Sequence, residues 1–296
     1  MKKTNKLLLL LIAAPLLFWQ CGGAEKKEVI KEEPMVEVKE EVQPSLTLLW
    51  ETPDELTTCE SVLVDEKSGT IYVSNIAGDP RAKDGEGFIS IISKDGEIIE
   101  KEWVSGIDAP KGMGLLDGKL YVTNIDELVE IDVESAKVSN TYPIEGAGFL
   151  NDVDVHGGKV YFSDMEKGLI HVLADGEISV VAEGQASING VRLSEDGTLY
   201  GLDGEGLKKY GESGTAEILN SKVTGGDGLI ILGDDTYIAS RWVGEIWIID
   251  ENGETKLLDT KDAGSNTADI GYLEDEKIIL VPTFMKNKVV AYKLVY

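Results

Sequence analysis

Six polar residues, Glu60, Lys111, Asn151, Asn189, Asp227 and Asp269, each stand 10 to 12 residues ahead of an apolar run, at Tyr72, Tyr121, Tyr161, Tyr200, Tyr237 and Ile279. The intervals between them are 51, 40, 38, 38 and 42 residues. A self-similar period of about 40 residues, built from short apolar segments with turn residues between them, is the pattern of a propeller made of four-stranded blades. In such a fold the first strand of every blade lines the central channel. Residues at the head of those strands therefore converge on the axis, however far apart they lie in sequence.

The turns agree with this reading. Asp95-Gly96, Asp117-Gly118, Gly157-Gly158, Asp175-Gly176, Asp196-Gly197 and Asn252-Gly253 are two-residue hairpin signals between apolar runs. The expected fold is all-β, a six-bladed β-propeller over residues 46–296. The sixth unit has only three strands of its own, Ala268–Tyr272, Lys277–Pro282 and Lys288–Leu294. An open last blade would expose a sheet edge, so Leu46–Glu51 is expected to supply its outer strand and close the ring. Helical periodicity is missing from this region, and helices should be nearly absent. One connection is longer than its counterparts: Ala77 to Gly87, between the second and third strands of the first blade. It is placed to overhang the channel mouth.

Ahead of the repeat, Lys2, Lys3 and Lys6 precede an apolar stretch of 12 residues, Leu7 to Phe18. That is short of the roughly 20 residues a membrane-spanning helix needs, and it reads as a signal peptide over residues 1–20. Cys21-Gly22-Gly23 then resembles a lipoprotein signal, with Cys21 as the lipid-bearing residue. Residues 21–45 are rich in Glu, Lys, Val and Pro and read as a disordered acidic tether. The expected location is the bacterial cell envelope, periplasmic or surface-exposed, with the chain a monomer anchored to a membrane through Cys21. The formal net charge of −26 repels phosphate backbones and argues against nucleic acid as a partner. No glycine-rich phosphate-cradling loop is present, which argues against nucleotide binding.

Carboxylates and amides meeting at the channel mouth, with no His or Cys among them, describe an oxygen-rich pocket for a hard cation. Glu60, Asn151, Asn189 and Asp227 offer four oxygens and two negative charges, enough to balance one divalent ion. His156 and His171 both fall away from the strand heads.

Thr58-Cys59-Glu60-Ser61-Val62-Leu63-Val64-Asp65, Leu150-Asn151-Asp152-Val153, Ile188-Asn189-Gly190-Val191 and Gly226-Asp227-Gly228-Leu229 resemble strand heads of the SMP-30/gluconolactonase/luciferin-regenerating-enzyme family of calcium-dependent six-bladed propellers. The resemblance implies a hydrolase of lactones or related esters. It implies one divalent cation, Ca2+ before Zn2+, Mn2+ or Mg2+, held by Glu60, Asn189 and Asp227. Asn151 would complete the shell or touch substrate, and Asp227 would also serve as general base or nucleophile. The family's substrate-contacting Arg, two residues before the third-blade Asn, is Phe149 here. Lys111, Phe149, Arg241 and Asp269 are the expected substrate-binding residues, with Asp269 placed to pair with Lys111 across the channel or to receive a proton. The alternative is a non-catalytic propeller that binds a ligand or protein and uses its metal structurally.

Overall fold

The protein is described by a computed structural model over residues 43–211, 213–233 and 235–296. The signal segment, Cys21 and nearly all of the tether lie outside the described residues. Six four-stranded antiparallel sheets follow one another along the chain. Blade one is Cys59–Asp65, Thr70–Asn75, Gly87–Ile92 and Ile98–Ile107; blade two is Pro110–Leu116, Lys119–Asn124, Glu127–Asp132 and Lys137–Pro143. Blade three is Leu150–His156, Lys159–Asp164, Leu169–Ala174 and Glu177–Ala182; blade four is Val191–Leu193, Leu199–Asp203, Gly206–Tyr210 and Ala216–Asn220. Blade five is Leu229–Gly233, Thr236–Arg241, Glu245–Asp250 and Gly253–Asp259; blade six is Gly271–Leu273, Ile278–Pro282 and Val289–Val295, completed by Ser45–Glu51.

The closing strand pairs antiparallel with the last strand of the chain, from Ser45 opposite Val295 to Glu51 opposite Val290. Thr52 extends the clasp: its N–H donates to the Val289 carbonyl at 2.9 Å, and its Oγ1 accepts from the Val289 N–H at 3.1 Å. A single 3-10 turn, Lys261–Ala263, is the helical content of the described residues. None of their helices is long and apolar enough to cross a membrane.

Strand alternation explains where the core sits. Each inner and second strand buries side chains on both faces, because a blade is covered by a neighbour on each side. The core is accordingly divided into layers between blades. Val62, Ile71 and Val73 of blade one meet Leu280, Val289 and Ala291 of blade six. Tyr72 and Ile89 meet Met113, Leu120 and Val122 of blade two, and Leu202 and Leu207 of blade four meet Leu229, Tyr237 and Ala239 of blade five. The outer strands, with one face in solvent, keep only partial burial. At Asp117-Gly118 and Asp175-Gly176 both turn residues take positive φ, 50° and 75° in the first pair and 51° and 81° in the second. That is the backbone a two-residue hairpin requires.

In blades one to three the inner strand is irregular at its head. The register breaks between Cys59 and Val62, between Pro110 and Met113, and between Leu150 and Val153. Bulges of this kind re-aim side chains and end regular pairing, and they fall on Glu60-Ser61, Lys111-Gly112 and Asn151-Asp152. In blades four to six the regular strand begins two residues after Asn189, Asp227 and Asp269. The sixth inner strand thus starts later than the expected Ala268, because Asp269 pairs sideways with blade one. Its N–H donates to the Glu60 carbonyl at 3.0 Å, and its carbonyl accepts from the Val62 N–H at 3.2 Å.

Candidate active site

The strand heads are held by a second repeat that the polar lead residues did not announce. Ser74 Oγ accepts from the Ser61 N–H at 2.9 Å, Ser163 Oγ from the Asp152 N–H at 3.0 Å, and Ser240 Oγ from the Gly228 N–H at 2.8 Å. Thr123 Oγ1 donates to the Asn151 carbonyl. Each hydroxyl lies near the end of a second strand and satisfies backbone that the bulge or loop leaves unpaired. The next residue is Asn75, Asn124, Asp164 or Arg241. Asp164 ties down the loop before blade three by accepting from the Gly148 and Phe149 N–H groups at 2.8 and 3.0 Å. In blades one to three a recurring Ser/Thr-Asn/Asp pair at the end of the second strand was the available signal.

On this frame Glu60, Lys111, Asn151 and Asp227 line one cavity of about 430 Å3 at the channel mouth, with Phe149 among its walls. Glu60, Asn151 and Asp227 are buried, and Asn189 is half-buried. Buried side-chain oxygens nearly always find a hydrogen-bond partner. Five among the described residues do not: Glu60 Oε2, Asn151 Oδ1, Asn189 Oδ1, Asp227 Oδ1 and Asn75 Oδ1. Four of these five belong to the expected cation ligands, one from each of four blades. Among the described residues no three His, Cys, Asp or Glu side chains gather into a metal-binding cluster, so the two amides are needed to complete a donor set.

The electrostatics run the same way. Burial pushes the Glu60 carboxyl well above its usual range, and the Asp227 and Asp269 charges add to this while Lys111 opposes it. Burial and Asp269 also push Asp227 well up, against the Asn189 amide beside it. Two carboxylates taken out of water close to one another resist joint ionisation. A cation between them would remove the conflict.

Lys111 is buried to 1 % exposure. Its ammonium donates to the Ala109 carbonyl at 2.9 Å and lies 4.4 Å from the centre of the Phe149 ring. Burial lowers its pKa to about 8, with Glu60 working against the shift and Arg81 with it. The long first-blade connection does reach the mouth. Pro80 and Arg81 line the cavity, Arg81 sits 4.4 Å from the Phe149 ring centre, and its guanidinium is 2.7 Å from Glu166 of blade three. Phe149 is therefore flanked by two cations.

Asp269 and Arg241 are placed elsewhere. Asp269 accepts from the Ser61 hydroxyl and lines a second cavity of about 160 Å3 deeper in the channel, with Asp152 and Arg192. Lys111 and Asp269 do not pair: each has its own partners at a different level of the channel. Burial raises Asp269 to about 6 even though Ser61 and Arg192 pull it down. Asp152, not singled out in the sequence, is buried there and accepts from the Val191 and Val153 N–H groups, each at 2.7 Å. Arg241 donates to the Thr224 carbonyl at 2.8 Å and to Glu245 at 2.5 Å. Its charge is held by a carboxylate four residues on, and its neighbour Trp242 lines the mouth instead. His171 is buried and stacked on Phe162 at 5.1 Å, and neither histidine lines the mouth.

No protein-family profile matches the chain, and no curated protein matches it. Solved structures do. A catalytically inactive histidine-to-alanine form of virginiamycin B lyase from Staphylococcus aureus, with quinupristin, aligns with a TM-score of 0.60 at 14% identity, over 86% of this chain and 100% of that one. A candidate gluconolactonase aligns at 0.58 and 14% identity, over 85% of this chain and 92% of that one. A chain of a nidogen/laminin complex aligns at 0.56 and 14%, over 68% and 80% respectively. The likeness is one of fold. The propeller is shared with a lyase and with a chain of a nidogen/laminin complex, and a propeller by itself does not name a reaction.

Proposed function

We propose that the chain is a divalent-cation-dependent hydrolase of lactones or related esters. The observation that carries this reading is the set of unpartnered oxygens on Glu60, Asn151 and Asp227, which line the mouth cavity, together with the unpartnered oxygen of Asn189, whose side chain lies beside Asp227. The donor set is all oxygen and carries two negative charges, which suits Ca2+; with a coordination number of about six to eight, positions remain for water and substrate. A bound cation of this kind supplies Lewis acidity toward a carbonyl oxygen and toward the negative charge that develops on it.

The remaining work falls to the chain's own groups. Asp227 takes the proton of the attacking water, or attacks the carbonyl carbon itself. Lys111 spends one N–H on Ala109 and keeps the others for a substrate or product oxygen. Phe149, Arg81 and Pro80 cover that side of the cavity and exclude bulk water. Chemistry that depends on a histidine, as the inactive alanine form of virginiamycin B lyase implies for that protein, has no counterpart among the residues lining this mouth.

The test is a panel of lactones and aryl esters assayed with Ca2+, Zn2+, Mn2+, Mg2+ and chelator. Turnover that needs a divalent ion, and that falls by roughly 10²–10³-fold in Asp227→Asn, is expected. Stoichiometric metal binding without turnover of any substrate would instead favour a non-catalytic propeller with a structural metal. The proposed place of work is the cell envelope, with Cys21 as the lipid-bearing residue. Metabolic labelling with a fatty-acid analogue should mark the wild-type chain and not Cys21→Ser.

A further inference from the structure

The walls above the oxygen floor are made of hydrocarbon. On the side of blades five and six, Trp242 and Met285 are 41 and 62 % exposed and face the cavity together with Phe284. The Trp242 and Phe284 rings meet edge to face with centroids 5.5 Å apart. Phe284 holds a left-handed backbone, φ 48°, which is uncommon for a bulky residue. The loop carrying it keeps this conformation while aiming the ring at the mouth. The Trp242 loop is pinned by its carbonyl, which accepts from Asn266 Nδ2 at 2.9 Å. Two large apolar side chains left in solvent at the rim of a concave site mark a binding surface for apolar matter.

The side-chain acceptors of the cavity are already committed, and its cations offer only donors. Glu60, Asn151 and Asp227 are the ligand oxygens of the floor, Lys111 donates to Ala109, and Arg81 is paired with Glu166. Among the described residues no Ser, Thr, Tyr, Gln or His side chain lines the cavity. A ring bearing several hydroxyls would bury them against Trp242, Phe284 and Met285 with no side-chain acceptor to meet them. Each such hydroxyl would weaken binding roughly 5- to 100-fold. Each methylene laid on the same wall would strengthen it roughly fourfold.

Resting on the hydrolase reading above, we infer that this site takes alkyl- or aryl-substituted lactones and esters rather than polyhydroxylated sugar lactones. The hydrocarbon substituent lies on the Trp242–Phe284–Met285 wall, and the carbonyl end lies toward the oxygen floor beside Lys111.

Lactams, which keep the ring and carbonyl but resist hydrolysis, separate binding from turnover. The full chain, loaded with Ca2+, would be titrated calorimetrically with δ-valerolactam, its propyl and hexyl derivatives, and gluconolactam. The matching lactones would be assayed for kcat/KM. The expected result is affinity rising roughly fourfold per methylene with an increasingly negative heat-capacity change, and gluconolactam weakest. Trp242→Ala should flatten that rise, and Met285→Ser, at a more exposed position, should do so independently of any folding defect. Gluconolactam binding tighter than the hexyl lactam, a rise unchanged in both variants, or no binding in either series would overturn the inference. Chain-length-dependent binding without hydrolysis of any lactone would overturn the hydrolase reading and leave the ligand class standing. Hydrolysis that prefers the sugar lactone would do the reverse.

Discussion

Replacing Asp227 with Asn should stabilise the cation-free protein and abolish its response to calcium, two effects of opposite sign from one substitution. Asp227 is 2 % exposed and its Oδ1 has no partner. Burial and the Asp269 charge raise its pKa, so without a cation the carboxyl must either be protonated or stand ionised in a dry site. Asn is isosteric and neutral, so no charge has to stand ionised in the dry site. Relief of one unpaired buried carboxylate is worth about 2 kcal/mol, within the range for unsatisfied buried groups, or about 4–8 °C in Tm for a domain of this size. The sign with pH follows from the raised pKa. The favourable contribution of Asp227 is present below its ordinary value and lost as pH rises through the folded value. The advantage of the variant therefore opens as pH rises and vanishes near pH 3, where both side chains are neutral. At 100 times Kd, Ca2+ should stabilise the wild type by about 2.7 kcal/mol and the variant by almost nothing. Thermal unfolding with chelator and with Ca2+, at pH 8 and pH 3, reads all of this. A variant less stable than wild type in chelator, and equally stabilised by Ca2+, would refute the reasoning.

Other outcomes follow from particular contacts. A Cβ on Gly190 would lie 2.0 Å from the Asp227 carbonyl oxygen, so Gly190→Ala must displace backbone between two ligand positions; Ca2+ affinity by titration calorimetry should drop at least about tenfold, the effect of losing one well-placed interaction. Burial would raise the Glu245 carboxyl, but Lys261, Trp247, Arg241 and Lys256 hold it down at about 2. Its stabilisation is full above the ordinary value near 4.5 and lost as pH falls through the folded value, so Glu245→Gln should lose less stability than wild type between pH 6 and pH 2.5 in denaturant titrations. Burial pushes the Cys59 thiol up to about 12; in the folded protein it should stay unreacted with Ellman's reagent at pH 8 and react fully in denaturant.

Much of the fold was legible because a propeller repeats one physical problem six times. Each blade needs a turn at the same places and carries a polar residue at the head of its inner strand, so Asp117-Gly118 and Asp175-Gly176 could be read as hairpins and Glu60, Asn151 and Asp227 as neighbours. The closing strand was legible from the missing fourth strand of blade six. Position within the repeat does not set the level in the channel, however. Asp269 has the spacing of the other lead residues, yet hydrogen bonds to blade one and the Ser61 hydroxyl hold it below the mouth beside Asp152. The pairing of Arg241 is hidden in the sequence for a different reason. Glu245 pairs with its guanidinium, and an ion pair four residues apart along a hairpin has no periodic mark. Trp242, Phe284 and Met285 come from connections whose lengths vary between blades, and only the assembled ring brings them to one wall.

The central claim is that Glu60, Asn151, Asn189 and Asp227 share one cation. A crystal of the protein grown with Mn2+ or Ca2+ and measured for anomalous scattering tests it directly. The account predicts a single strong peak at the mouth, within about 2.0–2.6 Å of oxygens from all four residues, and its loss in Asp227→Asn. A peak between Asp152 and Asp269 in the lower channel, or water bridging the four oxygens with no metal at saturating concentration, would contradict it.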